Sequence, residues 1–440
     1  IDYRSDLYSL GVTMYELLAK KLPFEKTDAV ELVHAHIATT PPTVREINAD
    51  IPPILSEIVS RLMAKTAEQR YQSAAGLKED LKTCLYLVQT TGRMDRFELG
   101  RDDRTDIFYL PQKLYGRERE TATLLSVFNE QVIGHGEMRF MLVSGYSGAG
   151  KTSLVKEIQK PITQNQGYFI EGKFDQYQRT IPYYALKRAL AQLVDIWLTE
   201  NEANLSAIAA ALKEALGEAA GVLVQLIPSL ELIIGFQPEV AELSGIEAQN
   251  RFNLVCRNFF RCAASADHPL AIFIDDLQWA DLPSLNLISV LLTDSQITCL
   301  FFIGAYRDNE TPPSHPLLLM LESLSKKGII PESVHVGNLS ESDIGALCTD
   351  ALYSDLKEVS GLARLVHLKT LGNPFFTAQF LKALYAEKLI VFDADQGKWT
   401  WALEEIERHN IPDNVVQLMT AKIITLAPTT QKLMTLAECV

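Results

Sequence analysis

Cysteine is scarce: six residues in 440, at Cys84, Cys256, Cys262, Cys299, Cys348 and Cys439, with no C-x-x-C spacing among them. This argues against a zinc framework or a disulfide-stapled scaffold and predicts a chain kept reduced in the cytoplasm. Positive charge is in deficit, 41 Lys and Arg against 55 Asp and Glu, for a formal −14. Such a surface repels phosphate backbones and anionic headgroups, so neither nucleic acid nor a membrane surface is expected as a partner. Long apolar runs are missing too. The most apolar window, residues 219–236, is interrupted by Gln225, Pro228, Ser229 and Glu231, too polar for an unbroken bilayer span. No initiator Met, basic n-region or cleavage site precedes the first periodic helix, and the chain reads as cut from something longer. No repeat of fixed period is visible. His34 and His36 stand two apart, on different sides of a helix, which argues against joint metal ligation.

What is present suits a folded protein of two to four domains: 47% apolar and 22% charged residues. Leu7, Leu10, Met14, Leu17 and Leu18 recur at three- and four-residue steps and predict one apolar helix face. Proline-punctuated helical pattern continues to about residue 89, giving a small all-helical unit. Residues 90–113, with Gly92, Gly100 and the run Arg101-Asp102-Asp103-Arg104, read as a linker. Residues 1–92 hold 10 basic and 12 acidic side chains, so most of the acidity lies downstream. Beyond Tyr115, short continuous apolar runs at 140–143, 270–274 and 300–303 alternate with long helical stretches. Continuous runs suit strands covered on both faces, which predicts a parallel sheet in an α/β layer structure. Residues 185–265 read as a helical insertion, and the chain is helical again from Ser340, with a short hairpin near 399–401.

The chemistry concentrates at three strand ends. Gly145-Tyr146-Ser147-Gly148-Ala149-Gly150-Lys151-Thr152 is a complete G-x-x-x-x-G-K-[ST] between a strand and a helix. Its glycines let successive N–H groups face one phosphate chain at a helix N-terminus. Residues Gly145, Ser147, Gly148, Ala149, Gly150, Lys151, Thr152 and Ser153 are therefore the expected nucleotide contacts, with Lys151 on the β- and γ-phosphates and Thr152 on Mg2+. The run 270–274 ends in Asp275 and Asp276. Asp275 would organise Mg2+ through its water shell, and Asp276 would orient or deprotonate the attacking water. Alone, an Asp-Asp pair at a strand end marks a solvated turn; beside a phosphate loop the catalytic reading is the better one. A third strand delivers Arg307 to the same edge. Sensing of the γ-phosphate and local pairing with Asp308 or Glu310 stand level for that residue.

These residues also carry a resemblance. Tyr115-Gly116-Arg117-Glu118, the phosphate loop and Asp275-Asp276-Leu277-Gln278-Trp279-Ala280-Asp281 resemble the signal-transduction ATPases with numerous domains, the STAND branch of the AAA-like P-loop ATPases. Ala305-Tyr306-Arg307-Asp308 resembles their sensor strand, and Gly372-Asn373-Pro374-Phe375-Phe376 the Gly-x-Pro segment of their helical lid. The resemblance implies that Pro374 packs on the adenine with Tyr115 and Gly116 beside it, that Arg307 is the sensor, and that Ile411-Pro412-Asp413-Asn414-Val415-Val416 begins a winged helix. Asp6-Leu7-Tyr8-Ser9-Leu10-Gly11, Tyr15-Glu16-Leu17, Leu22-Pro23-Phe24 and Arg70-Tyr71 resemble the second half of a protein-kinase large lobe. Asp6 would there bond the catalytic-loop backbone, and Arg70 would pair with an acid ahead of Ile1. The Gly-rich loop, phosphate-pairing Lys, catalytic-loop Asp and D-F-G do not occur before residue 93.

The order resembles large cyanobacterial-type chains described as trifunctional serine/threonine kinase, ATP-binding protein and sensor histidine kinase. It implies sensor and histidine-kinase domains downstream, the rest of the kinase lobe upstream, and an ATP-dependent homo-oligomer. The expected layout is a kinase-lobe remnant at 1–89, a linker at 90–113, a P-loop ATPase core at 114–335, a helical lid at 336–400 and the start of a winged helix at 401–440. The expected activity is a switch that binds Mg-ATP and hydrolyses it slowly. The alternatives are a non-hydrolysing nucleotide-dependent scaffold or, in the complete chain, primarily a protein kinase.

Overall fold

The computed structural model describes residues 3–25, 29–101, 103, 108–111, 113–177, 181–238, 240–241, 243, 245–393, 396, 398–408, 423 and 426–437. Its centre is a five-stranded, wholly parallel sheet: β1 (Arg139–Ser144), β2 (Tyr168–Lys173), β3 (Leu270–Asp275), β4 (Leu300–Tyr306) and β5 (Glu332–His335), in the order β2-β3-β4-β1-β5. The three continuous apolar runs are strands because both faces are covered, and every residue of β3 is buried. Phe140, Leu142, Ile170, Ile272 and Phe302 face the helical insertion, whose helices include Tyr184–Trp197, Glu202–Leu216 and Gly245–Ala263. Met141, Val143, Phe273, Phe301 and Ile303 face Leu124, Phe128, Leu154 and Ile158 on the other side. This is the α/β P-loop NTPase fold, with its insertion where the sequence predicts it.

Register decides where the chemistry emerges. Ser144 lies opposite Tyr306 and His335, and Lys173 opposite Asp275. Gly145, Asp276 and Arg307, each the next residue along its strand, therefore leave the sheet at one rim. Because β4 runs between β1 and β3, Arg307 emerges between the phosphate loop and the two acids.

After β5, helices Glu341–Leu352, Leu356–Thr370 and Pro374–Ala386 pack around Ile344, Val359, Val366, Phe380 and Leu384, in the stretch expected as a helical lid and called the lid below. The hairpin expected near 399–401 is present as β6 (Ile390–Asp393) and β7 (Lys398–Trp401), antiparallel, with Trp399 buried against the lid. The segment expected to open a winged helix, Ile411 to Val416, lies outside the described residues. Among the described residues no helix is long and apolar enough to cross a membrane.

The N-terminal unit is helical: Arg4–Ala19, Ala29–Ala38, Val44–Ile47, Pro53–Leu62 and Ala74–Thr91. The buried face of its first helix takes in only part of the leucine stripe: Leu7 is buried and Met14 and Leu18 pack on the core. Arg4, Leu7, Gly11, Tyr15 and Ala19 are buried, while Leu10 and Leu17 are exposed. Gly11 is the reason: a Cβ there would stand 2.7 Å from the Leu62 Cβ, so the backbone itself is the contact surface for Pro53–Leu62. The segment 90–113 is no slack tether either. Buried Asp103 accepts from the backbone N–H groups of Gln72 (2.7 Å) and Ser73 (2.9 Å), and Phe108 stacks on Tyr385 of the lid at 5.1 Å. Within the expected linker, one acid of the charged run is thus spent on orphan N–H groups ahead of the helix Ala74–Thr91.

Candidate active site

The loop after β1 takes its shape from glycine. Gly148 and Gly150 have φ of 75° and 95°, which L side chains adopt only with strain. Residues 147–153 line a cavity of about 390 Å³ together with Asp275, Asp276, Arg307 and Pro374. Lys173 and Phe375 complete the lining; Phe375 stands in the Gly-x-Pro segment quoted from the sequence without a role of its own, and Lys173 stands in none of the motifs. Lys151 is buried, and its Nζ donates to the carbonyls of Gly145 (2.7 Å) and Tyr146 (2.9 Å). Burial pushes its pKa down, against the opposing pull of Asp275 and Asp276.

Thr152 and Asp275 meet directly: the hydroxyl donates to Oδ2 at 2.9 Å, while Oδ1 accepts the Asp276 N–H at 2.9 Å. With its hydrogen directed at Asp275, the Thr152 oxygen keeps lone pairs for a cation. Among the described residues no group of three or more His, Cys, Asp and Glu is gathered to hold a metal. The donor set thus fits a hard cation completed by nucleotide oxygens and water, the Mg2+ pattern, and not an all-protein cage.

Asp276 is the most constrained residue of the site. It is buried and left-handed, with φ of 54°. Its Oδ1 accepts from Gln278 Nε2 at 2.9 Å and Arg307 Nε at 3.2 Å. Lys173 Nζ lies 3.1 Å from Oδ2, paired by charge but off the line of a hydrogen bond. Gln278 works in both directions, since its Oε1 also accepts the Arg307 backbone N–H at 3.1 Å. Arg307 donates from Nη1 to Glu310 at 2.8 Å and lies 4.6 Å from the Trp279 ring centroid. Its acidic partners are Glu310 and Asp276; Asp308 instead faces His335 at 3.4 Å. Asp281, the last acid of the run, caps the helix Leu282–Leu292 by accepting from Ser284.

Residues 113–303 match the family model described as AAA ATPase domain. The chain carries an AAA ATPase domain. Over its whole length it is 31% identical to hybrid signal transduction histidine kinase G of Dictyostelium discoideum, of which it covers 15%. Over 18% of its length it is 37% identical to serine/threonine-protein kinase PknB of Mycolicibacterium smegmatis, of which it covers 13%. The chain is thus related to histidine kinases and serine/threonine kinases while spanning a small part of either relative. Among solved structures, the Aeropyrum pernix ORC2 protein, in ADPNP-ADP complexes, aligns with a TM-score of 0.39 at 13% identity, over 73% of this chain and 74% of that one.

The three-helix unit meets the phosphate loop at the start of its last helix. Asn373 caps Pro374–Ala386 by accepting the Phe376 N–H at 3.0 Å, and its Nδ2 donates to the Ser147 carbonyl at 2.9 Å. The Phe375 N–H donates to the Gly148 carbonyl at 3.2 Å. Pro374, the first residue of that helix, faces the cavity. Tyr115 and Gly116 do not line it. Tyr115 is buried in the lid core with its hydroxyl on Asp350 at 2.8 Å, and Gly116 is pressed against the Asp343 carboxylate. Their neighbour Arg117, also buried, reaches the site instead, donating to the carbonyls of Ala149 and Gly337. Of the residues sequence reasoning passed over, Gln278 lay inside the quoted acidic run, whereas Lys173 is connected to Asp276 only through strand register.

Proposed function

We propose that the chain is a nucleotide-dependent signalling switch of the STAND kind, which binds Mg-ATP in the cavity at the sheet rim and hydrolyses it slowly. The observation that carries the reading is the placement of Asp276: a buried carboxylate on the cavity wall, opposite the phosphate loop and held by groups from three segments. Lys151 and the loop N–H groups would bind the phosphates, Thr152 and Asp275 would hold Mg2+, Asp276 would orient or deprotonate water, and Arg307 would read the γ-phosphate. When bound, Mg2+ supplies neutralisation of phosphate charge. Pro374 would face the base, with Tyr115 and Gly116 backing the lid. Residues 1–89 would be a kinase-lobe remnant that docks without phosphorylating, since none of the groups that position ATP for a kinase occurs before residue 93. The layout implies further kinase, sensor and histidine-kinase segments in the complete protein, a cytoplasmic setting and an ATP-dependent homo-oligomer.

The test is phosphate release from Mg-ATP by the full chain, compared with Lys151→Ala and Asp276→Asn, with ATP and ADP affinities measured alongside. Slow release in the wild type is expected to fall roughly 10²-fold or more in both variants, with ATP still bound by Asp276→Asn. One observation favours the scaffold reading: both oxygens of Asp276 already face cationic side chains, which crowd the approach of a water. Folded wild type that binds ATP and releases no phosphate would decide for it.

A further inference from the structure

A second cavity, of about 330 Å³, adjoins the nucleotide cavity on the β2 side, and the two share Lys173 and Arg307. Helix Tyr184–Trp197 packs along β2 and brings Arg188 into the same lining. Each guanidinium rests near a ring, Arg307 at 4.6 Å from Trp279 and Arg188 at 6.0 Å from Tyr184. A cation held on an aromatic face keeps its in-plane N–H donors for another ligand. Among the described residues Arg188 pairs with no carboxylate, and Asp175, which accepts the Tyr177 N–H at 3.0 Å, is the cavity's one acid. Three cations and one acid line this cavity in a chain of net charge −14; Asp276 and Glu310 already pair with two of the three, which leaves Arg188, among the described residues, as the cation with no carboxylate and the natural anchor for an anion. Two of the three are also the cations on Asp276, at 3.1 and 3.2 Å.

We propose that this cavity binds a phosphate-type dianion, inorganic phosphate or a phosphomonoester, and that its binding draws Lys173 off Asp276 and so frees the Oδ2 side of that carboxylate for hydrolysis. A tetrahedral dianion offers several oxygens to three separate cations, and for Lys173 it competes with one carboxylate that Arg307 and Gln278 also hold. The coupling rests on the hydrolytic reading of Asp276; the binding does not.

The experiment saturates the full chain with Mg-ADP, so that the phosphate loop is filled, and titrates it calorimetrically with inorganic phosphate and, separately, O-phospho-L-serine. Wild type, Arg188→Ala and Arg188→Lys are compared. Arg188 is exposed and outside the nucleotide cavity, so all three should fold and bind Mg-ADP within about twofold of one another. Wild type should bind a probe, Arg188→Ala at least tenfold more weakly, and Arg188→Lys in between. Equal probe affinity in wild type and Arg188→Ala, or no binding to folded wild type, overturns the site. Binding of inorganic phosphate alone assigns it to the reaction's own product, and binding of phosphoserine as well assigns it to a phosphorylated ligand. In a second arm, ADP formation from Mg-ATP should rise several-fold with the probe in wild type and not in Arg188→Ala. A probe that binds without changing a measurable rate overturns the coupling, whereas a chain that binds the probe and never turns over ATP overturns the hydrolytic reading and leaves the cavity assignment standing.

Discussion

Replacing Asn373 by serine separates two tasks performed by one side chain. Its Oδ1 caps the helix Pro374–Ala386, and its Nδ2 bonds the phosphate loop at the Ser147 carbonyl. Serine keeps a capping oxygen but has no amide to extend to Ser147, whereas alanine loses both. A lost cap destabilises by about 1 kcal/mol and a lost neutral hydrogen bond by about 1 kcal/mol. Asn373→Ser should therefore loosen the junction by about 1 kcal/mol and Asn373→Ala by about 2 kcal/mol. At about 1.4 kcal/mol per factor of ten, these are about 5-fold and about 30-fold in the opening equilibrium. The reporter is the Phe375 amide, which donates to the Gly148 carbonyl across the same junction. Its hydrogen exchange tracks separation of lid and loop, so with Mg-ADP present it should accelerate by those factors. Equal Phe375 protection in wild type and Asn373→Ser would refute the view that this bond latches the lid.

Two further outcomes follow from buried donors. Lys65 donates to the carbonyls of Ala35 and His36 and to the Tyr8 hydroxyl, and burial, then the nearby Arg70, lower its pKa from 10.5 to about 8. Between those pH values the unfolded chain holds the proton and the folded one does not, so stability rises with pH through that window and gains nothing below it. Thermal unfolding of wild type relative to Lys65→Met should improve between pH 8 and 10, and a difference independent of pH would contradict the assignment. Arg117 donates to the buried carbonyl of Ala149 and the half-buried one of Gly337 beside the phosphate loop. Arg117→Met should lower the stability of the Mg-ADP-bound protein by about 2–3 kcal/mol, with partial recovery in Arg117→Lys; unfolding curves that superpose on wild type would show that those carbonyls do not depend on it.

The sheet was readable because its signals are contiguous: a run buried on both faces needs no knowledge of its neighbours, and the phosphate loop is eight consecutive residues. What lay beyond reading depends on which backbone meets which. Lys173 enters the site because β2 pairs with β3 in the register that sets it against Asp275, and nothing local to residue 173 marks that pairing. Tyr115 stands in a motif shared with nucleotide binders, yet its ring is taken by the lid core. Leu10 and Leu17 follow a helical period as well as any core residue, but Gly11 permits a closer contact on another face, and close packing outweighs periodicity there. Asp103, in the expected linker, is buried for a related reason, because two backbone N–H groups at 72 and 73 need an acceptor.

Magnitudes constrain how the proposed switch would operate. Moving a two-state equilibrium from 1:99 to 99:1 takes about 5.5 kcal/mol of differential binding, while one hydrogen bond to a charged group contributes about 1.5–3 kcal/mol. A contact from Arg307 to a γ-phosphate is therefore too small by itself, the more so because Arg307 would have to leave Asp276 or Glu310 to make it. About one to three further contacts must therefore differ between ATP and ADP. The geometry supplies Lys151, which already lies within reach of the loop carbonyls, and the Asn373 bond between loop and lid. Gln278 ties these events together: one end holds Asp276 and the other the Arg307 backbone, so Arg307 can exchange its side-chain partners without its main chain moving. That arrangement favours a switch of small rearrangements at the sheet rim, amplified by the lid, over one driven by displacement of the strand itself.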